Sequence, residues 1–487
     1  MKPNAVRAAS ARPAGWSRSV PEVRFGLRLA LAFLLTGLAA PATASDTWFR
    51  ITDETGQLIG WQRETVEPTP AGQRLTRERV TAYRIKDHAP ARLTVKLVRD
   101  QTSDGRLLAL SAETRRNRDV TTVRASVNGS TLLIEGWRAH RHTMRQLPHD
   151  STLKLGDSEW LSGAVQTGAI VEIEPGSTDI LAGKIVRSRA DGEEAVLVER
   201  QGQLADAWIV SRDAQGEVQR AEKPFPGGRQ VFERTTGPVS AADLSLGRSV
   251  SNLRFPSPFA ISDSAVKGHI RYTFQPRAGA PVAIPETAEQ RVRLVEGGAI
   301  RVDICRTCGP GLPSDAESLS RWRQPDEWIE SGDPVFLNAA RGVAAKAIPE
   351  RSKMRQLGTI ARLRISTVQF FGHYSAREAW RRRAGDCTED AAVLVALARA
   401  AGIPARVANG LLFVRERYFG TENAFQPHSW VVAYVDGKWE SFDISVDGFD
   451  ATHIALSLGD NDPGSILSAN RKAGLLQWQA MAEVRSR

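Results

Sequence analysis

The chain has 487 residues, 41% of them hydrophobic and 25% charged, with a formal net charge of +10. That length exceeds a single hydrophobic core and points to two or three domains, and the composition is that of an ordinary globular protein. Six basic residues and one acidic residue fall in the first 44, leaving about +5 for the remainder, and no basic stripe is interleaved with aromatics. Nucleic acid is thereby excluded as an expected partner.

Residues 1–44 read as an export signal. Arg7, Arg12, Arg18, Arg24 and Arg28 precede an apolar run over 29–38, and Ala42-Thr43-Ala44 supplies the small residues for cleavage after Ala44. The run is far shorter than the roughly 20 apolar residues of a bilayer-spanning helix, so no membrane span is expected after cleavage. No cysteine follows the cleavage site to take a lipid, and a periplasmic location is expected.

From 45 to 290 the chain reads as short strands and turns, an all-β accessory region in one or two pieces. Residues 131–135, 195–199 and 269–274 are β-rich runs, and Asn128-Gly129 between two such runs is a hairpin signal. His140, His142 and His149 lie close in sequence but without cysteines or clustered carboxylates, and they read as surface residues. The Pro-, Ala- and Gly-rich stretch 276–285 reads as a linker.

Three cysteines remain: Cys305, Cys308 and Cys387. Cys305 and Cys308 form Cys-x-x-Cys and can close on each other, leaving Cys387 free. Zinc at this pair would need two further ligands that no neighbouring residue supplies, and the turn Gly309-Pro310-Gly311 replaces the helix that a redox motif would need.

Helical character begins after that turn. Asp333-Pro334 marks a helix start continuing over 335–347, a second helix fits 352–371, and a third follows Cys387. The run Arg381-Arg382-Arg383 reads as a solvated helix end. Closing strands make 300–487 an α+β domain.

Gly385-Asp386-Cys387-Thr388-Glu389 reads as a helix start with Asp386 as cap and Glu389 completing a capping box. Residues 391–401 are almost wholly apolar and end at Gly402-Ile403-Pro404, so the helix should be buried on most sides. Cys387 then lies in the first turn, where the helix dipole is expected to lower its pKa and free N–H groups could receive an oxyanion.

The second constellation is a hairpin. Asp436-Gly437 between two strand-like runs specifies a two-residue turn in which Val435 faces Lys438. In that register Trp430 opposes Asp443, so His428 and Asp443 point to one face as diagonal neighbours, within reach of each other. Trp430, Tyr434 and Trp439 share that face, and Trp430 is placed to shield the pair. Cys387 as nucleophile, His428 as base and Asp443 as the group that orients the imidazole form a thiol acyl-transfer set. His453 reads as an ordinary loop or strand histidine.

Gly-Asp-Cys-Thr-Glu at 385–389, Gly402-Ile-Pro-Ala-Arg406, His428-x-Trp430 and Trp439-x-x-Phe-Asp443 resemble the bacterial transglutaminase-like domain, which has a papain-like core. Asp450-Ala-Thr-His453 resembles the segment after the acid in such proteins. The likeness covers about 330–460 and departs at Asp390, where histidine is common, and at Val431-Val432, where an acidic residue is common. It implies the triad Cys387, His428 and Asp443, with Trp430 and Asp386 as substrate-binding or supporting residues.

The expected function is an exported enzyme that opens amide bonds of a cell-envelope peptide or protein through a Cys387 thioester, passing the acyl group to water or to an amine. No metal or cofactor is expected. The competing reading is a non-catalytic cell-envelope binding or scaffold protein.

Overall fold

The computed structural model of the chain describes residues 44–84, 90–117, 119–138, 141–149, 168–173, 178, 180–240, 243–248, 254–367, 373–416 and 422–485. All but the last residue of the expected export segment, His88, His140 and the end of the expected helix over 352–371 lie outside them. Among the described residues no helix is long and apolar enough to cross a membrane.

Period-two patterning builds the N-terminal half. In Thr131–Arg138, Leu132 and Ile134 are buried and their neighbours are partly exposed, as one face of a sheet requires. Strands from Ser45–Thr52 to Arg141–Pro148 follow one another as an antiparallel meander, and those from Gly168–Ile173 to Gly228–Thr235 form a second. Ser45–Thr52 pairs with Gly228–Thr235, joining both into one 15-stranded sheet. The expected hairpin near Asn128 is present with its turn one residue later. Asn128 pairs with Thr131, so Gly129 and Ser130 make the turn, and Gly129 takes φ +59°, which costs glycine nothing.

Residues 276–285 are not a linker. Ala278, Ala280, Val282 and Ile284 are buried, and they fill a core shared by the second meander and the C-terminal half. Alternate small and branched apolar side chains let this irregular stretch pack as a strand would. Arg277 reinforces the junction by pairing with Glu222 at 2.5 Å and Glu193 at 3.2 Å.

In the C-terminal half, Asp333 caps Pro334–Ala344 through the Val335 N–H at 2.9 Å. Glu350–Arg364, Ala376–Arg382 and Cys387–Ala400 follow. Arg381 and Arg382 pair with Glu378, and Arg383 ends that helix at φ +60°, so the basic run is a solvated helix end. Cys387–Ala400 is the central helix. Val393, Leu394, Val395 and Leu397 are buried against the other helices and a five-stranded sheet. Each such side chain removed from water stabilises the fold by roughly 1.5–3 kcal/mol.

That sheet runs Phe255–Pro256, Ala424–Val435, Ala405–Val414, Ile454–Gly459, with Lys438–Phe442 also on Ala424–Val435. A separate four-stranded sheet runs Gln290–Leu294, Ile300–Ile304, Ile270–Pro276, Leu476–Glu483. Strands on both sides of residue 290 therefore share one sheet with the last strand of the chain.

Gly410 shows how tightly the strands meet. It pairs with His428 on one side and sits at a register shift against Ile454–Gly459 on the other. A Cβ there would lie 1.9 Å from the Ile454 carbonyl oxygen, which belongs to the backbone and has no rotamer to yield. Gly410→Ala should therefore cost about 2–3 kcal/mol, read as a lower urea midpoint. An unchanged midpoint would mean that the strands do not approach this closely.

Candidate active site

The central helix starts as its sequence dictates. Asp386 Oδ1 accepts the Thr388 N–H at 2.8 Å, and Glu389 Oε2 accepts the Asp386 N–H at 3.0 Å, completing the capping box. Cys387 is thereby fixed in the first turn, half-buried and free of any disulfide. The backbone N–H of Ser429, next to His428, favours its thiolate.

The hairpin has the expected register. Val435 pairs with Lys438 and Val431 with Phe442, and Asp436 and Gly437 turn at φ +49° and +83°. His428 and Asp443 consequently meet: His428 Nε2 lies 2.6 Å from Asp443 Oδ2, and both side chains are buried. Asp443 Oδ1 accepts the Ser445 N–H at 2.8 Å, and Ser445 Oγ donates to Asp390 Oδ2 of the central helix at 3.0 Å. Asp390, a departure from the family pattern, thus braces the segment that carries the acid. Trp430 is buried, with its ring 6.1 Å from that of His428 and nearly parallel to it. The two rings lie on one face of the strand, as the register predicted.

Electrostatics separate the groups. Asp443 is held well below the usual carboxylate range. Its burial opposes this, but hydrogen bonds from His428 and His453 prevail. The expected lowering of the Cys387 thiol is not what its surroundings produce. Burial pushes the thiol well up, and the Asp386, Asp443 and Glu389 carboxylates add to that, against the Ser429 N–H, which favours the thiolate. A helix start built from an acidic capping box brings negative charge to the same turn that its dipole makes positive. Burial and the Asp386 charge also raise Glu389 to about 8, so near neutral pH this residue is mostly uncharged.

His453 was read from sequence as an ordinary histidine. The structure buries it, with Nε2 3.0 Å from the same Asp443 Oδ2 that holds His428. The one signal that could have found it was the likeness of Asp450-Ala-Thr-His453 to the segment that follows the acid. The donor atoms of His428, Asp443 and His453 lie within 4.8 Å of one another, close enough for a cation to compete. The separations of 2.6 and 3.0 Å to one oxygen are those of two N–H donors.

Two buried polar atoms of the site have no hydrogen-bond partner: His428 Nδ1 and Trp430 Nε1. With Nε2 committed to Asp443, Nδ1 is the imidazole nitrogen left to exchange a proton.

Cys305 and Cys308 are joined in a disulfide with Cα atoms 5.2 Å apart. No histidine is near the pair along the chain, yet the fold brings His269 beside it, its Nε2 2.9 Å from Asp303 Oδ1. The loop is tied to the candidate site indirectly. Cys305 N–H donates to the Glu289 carbonyl, and the buried Glu289 carboxylate accepts from Ser441 N–H at 2.8 Å, two residues before Asp443. A groove of about 1360 Å³ lined by Arg306, Arg355, Trp439 and Asp450 reaches Asp443, but Cys387 and His428 do not line it.

Comparison with known proteins bears on the C-terminal half. Residues 338–444 match the transglutaminase-like superfamily. No curated protein matches the chain. Similar solved structures include a candidate cysteine protease from Cytophaga hutchinsonii, 16% identical over 45% of this chain and 84% of that one, TM-score 0.27. A β-barrel-like protein of a domain of unknown function from Brucella abortus is 9% identical over 39% of this chain and 95% of that one, TM-score 0.29. A candidate protease from Parabacteroides distasonis is 12% identical over 70% of this chain and 68% of that one, TM-score 0.20. Behind its β-rich half, over residues 338–444, this chain carries a transglutaminase-like domain.

Proposed function

We propose that the chain is a thiol-dependent enzyme that opens amide bonds of a cell-envelope peptide or protein through a thioester on Cys387. The observation that carries this reading is the commitment of His428. Asp443 takes Nε2 at 2.6 Å and leaves Nδ1 unpartnered, on the residue next to Ser429, whose N–H favours the Cys387 thiolate.

The chemistry then runs in two halves. His428 Nδ1 accepts the Cys387 proton as sulfur attacks the amide carbonyl. The C–N bond breaks, and the amine leaves with that proton, giving the thioester. Water or an amine, deprotonated by the same nitrogen, attacks the thioester carbonyl, and the departing sulfur recovers its proton. Asp443 stays ionised throughout and stabilises the imidazolium. The capping box takes the Thr388 and Glu389 N–H groups, so in this reading the Cys387 N–H receives the carbonyl oxygen. Thiolate formation depends on the imidazole, because burial and the neighbouring carboxylates hold an isolated Cys387 in its neutral form.

The test is to trap the intermediate. Purified protein is mixed with peptides from a cell-envelope extract, quenched in acid, and the fragment holding Cys387 is weighed by mass spectrometry. An acyl adduct that hydroxylamine removes, absent in His428→Ala, is the expected result. A bare Cys387 in both proteins would point instead to the scaffold reading.

A further inference from the structure

His453 precedes the strand Ile454–Gly459 and is buried, with no side-chain exposure. Its ring is held between two carboxylates: Nε2 is 3.0 Å from Asp443 Oδ2, and Nδ1 is 3.1 Å from Asp450 Oδ1. Asp450 Oδ1 is fixed in turn by the Thr452 N–H at 2.8 Å and the Thr452 hydroxyl at 2.6 Å. Trp430 meets the ring edge to face at 5.1 Å, and Phe449 covers it at 4.9 Å. Among the described residues no Lys or Arg forms an ion pair with Asp443 or Asp450, so the rings of His453 and His428 are the partners these acids have. A neutral ring would donate from Nε2 to Asp443 and accept the Asp450 N–H, 3.2 Å away, at Nδ1, whereas the imidazolium donates to both carboxylates.

We propose that His453 is a positioning residue of the acyl-transfer site: a second imidazole that never touches substrate but shares the Asp443 charge and so sets how strongly His428 holds its proton. The proposal rests on the triad reading above. An unshared Asp443 would hold the proton on His428 firmly and slow its return to the leaving amine. Dividing that charge between two rings leaves His428 a better acid in the step that needs one. The two carboxylates raise His453 to about 9 against its burial, so the sharing persists over the neutral range.

Other titratable groups face this cluster from several elements. His428 comes from Ala424–Val435 and Asp443 follows Lys438–Phe442. Tyr272, from Ile270–Pro276, donates its hydroxyl to the Ala451 carbonyl at 3.2 Å. Cys387 and Asp390 come from the central helix, Asp390 acting through Ser445. None of these others contacts the His453 ring nitrogens in place of Asp443 or Asp450.

The experiment is iodoacetamide alkylation of Cys387 against pH in the full chain, for wild type, His453→Gln, Asp450→Asn and His428→Ala, with folding checked by circular dichroism. Gln keeps an N–H donor for Asp443 and removes the charge. Asp450→Asn leaves the ring in place and weakens its hold on a proton. The wild-type rate should show a step belonging to the His428 imidazolium, absent in His428→Ala. Both His453→Gln and Asp450→Asn should move that step up by about one pH unit. If His453→Gln does not fold, Asp450→Asn carries the test alone. A step unmoved in the folded variants overturns the charge-sharing role and leaves the triad standing. A wild-type thiol that titrates alike with and without His428 overturns both.

Discussion

Cys387→Ser should lower amide turnover by about ten-thousandfold while the chain stays folded. A hydroxyl ionises far less readily than a thiol, and this site gives an anion little help before the imidazole takes the proton. Burial and the Asp386 and Asp443 charges disfavour an anion at this position. Serine keeps the shape of the helix start, because the capping box is made by Asp386 and Glu389. Its urea midpoint should therefore correspond to a change within about 1 kcal/mol of wild type near neutral pH. In alkali the two proteins should part. A thiol whose pKa is raised on folding makes the native state less stable as pH climbs past the unfolded value, and the serine variant lacks that loss. Turnover that survived the substitution at more than about one-hundredth of wild type would show that another group is the nucleophile.

Asp443→Asn should lower turnover by about a thousandfold and destabilise the fold by about 3–5 kcal/mol. The carboxylate accepts from two buried imidazoles and a backbone N–H. An amide can turn its oxygen to only some of these, and His453 keeps a charge with one acid where it had two. The pH dependence of wild-type stability follows from the same contacts. Asp443 has a depressed pKa in the folded state, so its contribution is present above the usual carboxylate value and is lost as pH falls through the folded one. His453 is raised from 6.5 to about 9, so its contribution is complete below 6.5 and disappears as pH rises to about 9. That shift corresponds to at most about 3 kcal/mol. Urea midpoints should be highest between the usual carboxylate range and about pH 6.5 and should decline toward pH 9, with a flatter decline in Asp443→Asn. A wild-type midpoint constant from pH 6 to 9 would rule out a charged His453.

Local rules made much of the site legible. A capping box, a two-residue turn and strand periodicity are short-range, and together they placed Cys387 in a first turn and brought His428 to Asp443. What escaped was set by distance along the chain. His453 reaches Asp443 across a turn whose course no local signal dictates. The sequence suggests a thiol activated by its helix, but burial, which only the fold sets, and the acidic cap Asp386 beside it outweigh the dipole, with Asp443 arriving from the hairpin. The stretch 276–285 looked like a linker because Pro, Ala and Gly are common in loops. Its alternate apolar side chains took on meaning only once a core was available to receive them.

The sheet shared by Ile270–Pro276 and Leu476–Glu483 limits where the chain can be divided. Ile270–Pro276 is an inner strand, flanked by Ile300–Ile304 and by Leu476–Glu483. A fragment cut at residue 300 would leave two exposed edges where an inner strand belongs, inviting self-association. Production of the C-terminal half alone should therefore begin ahead of Phe255–Pro256.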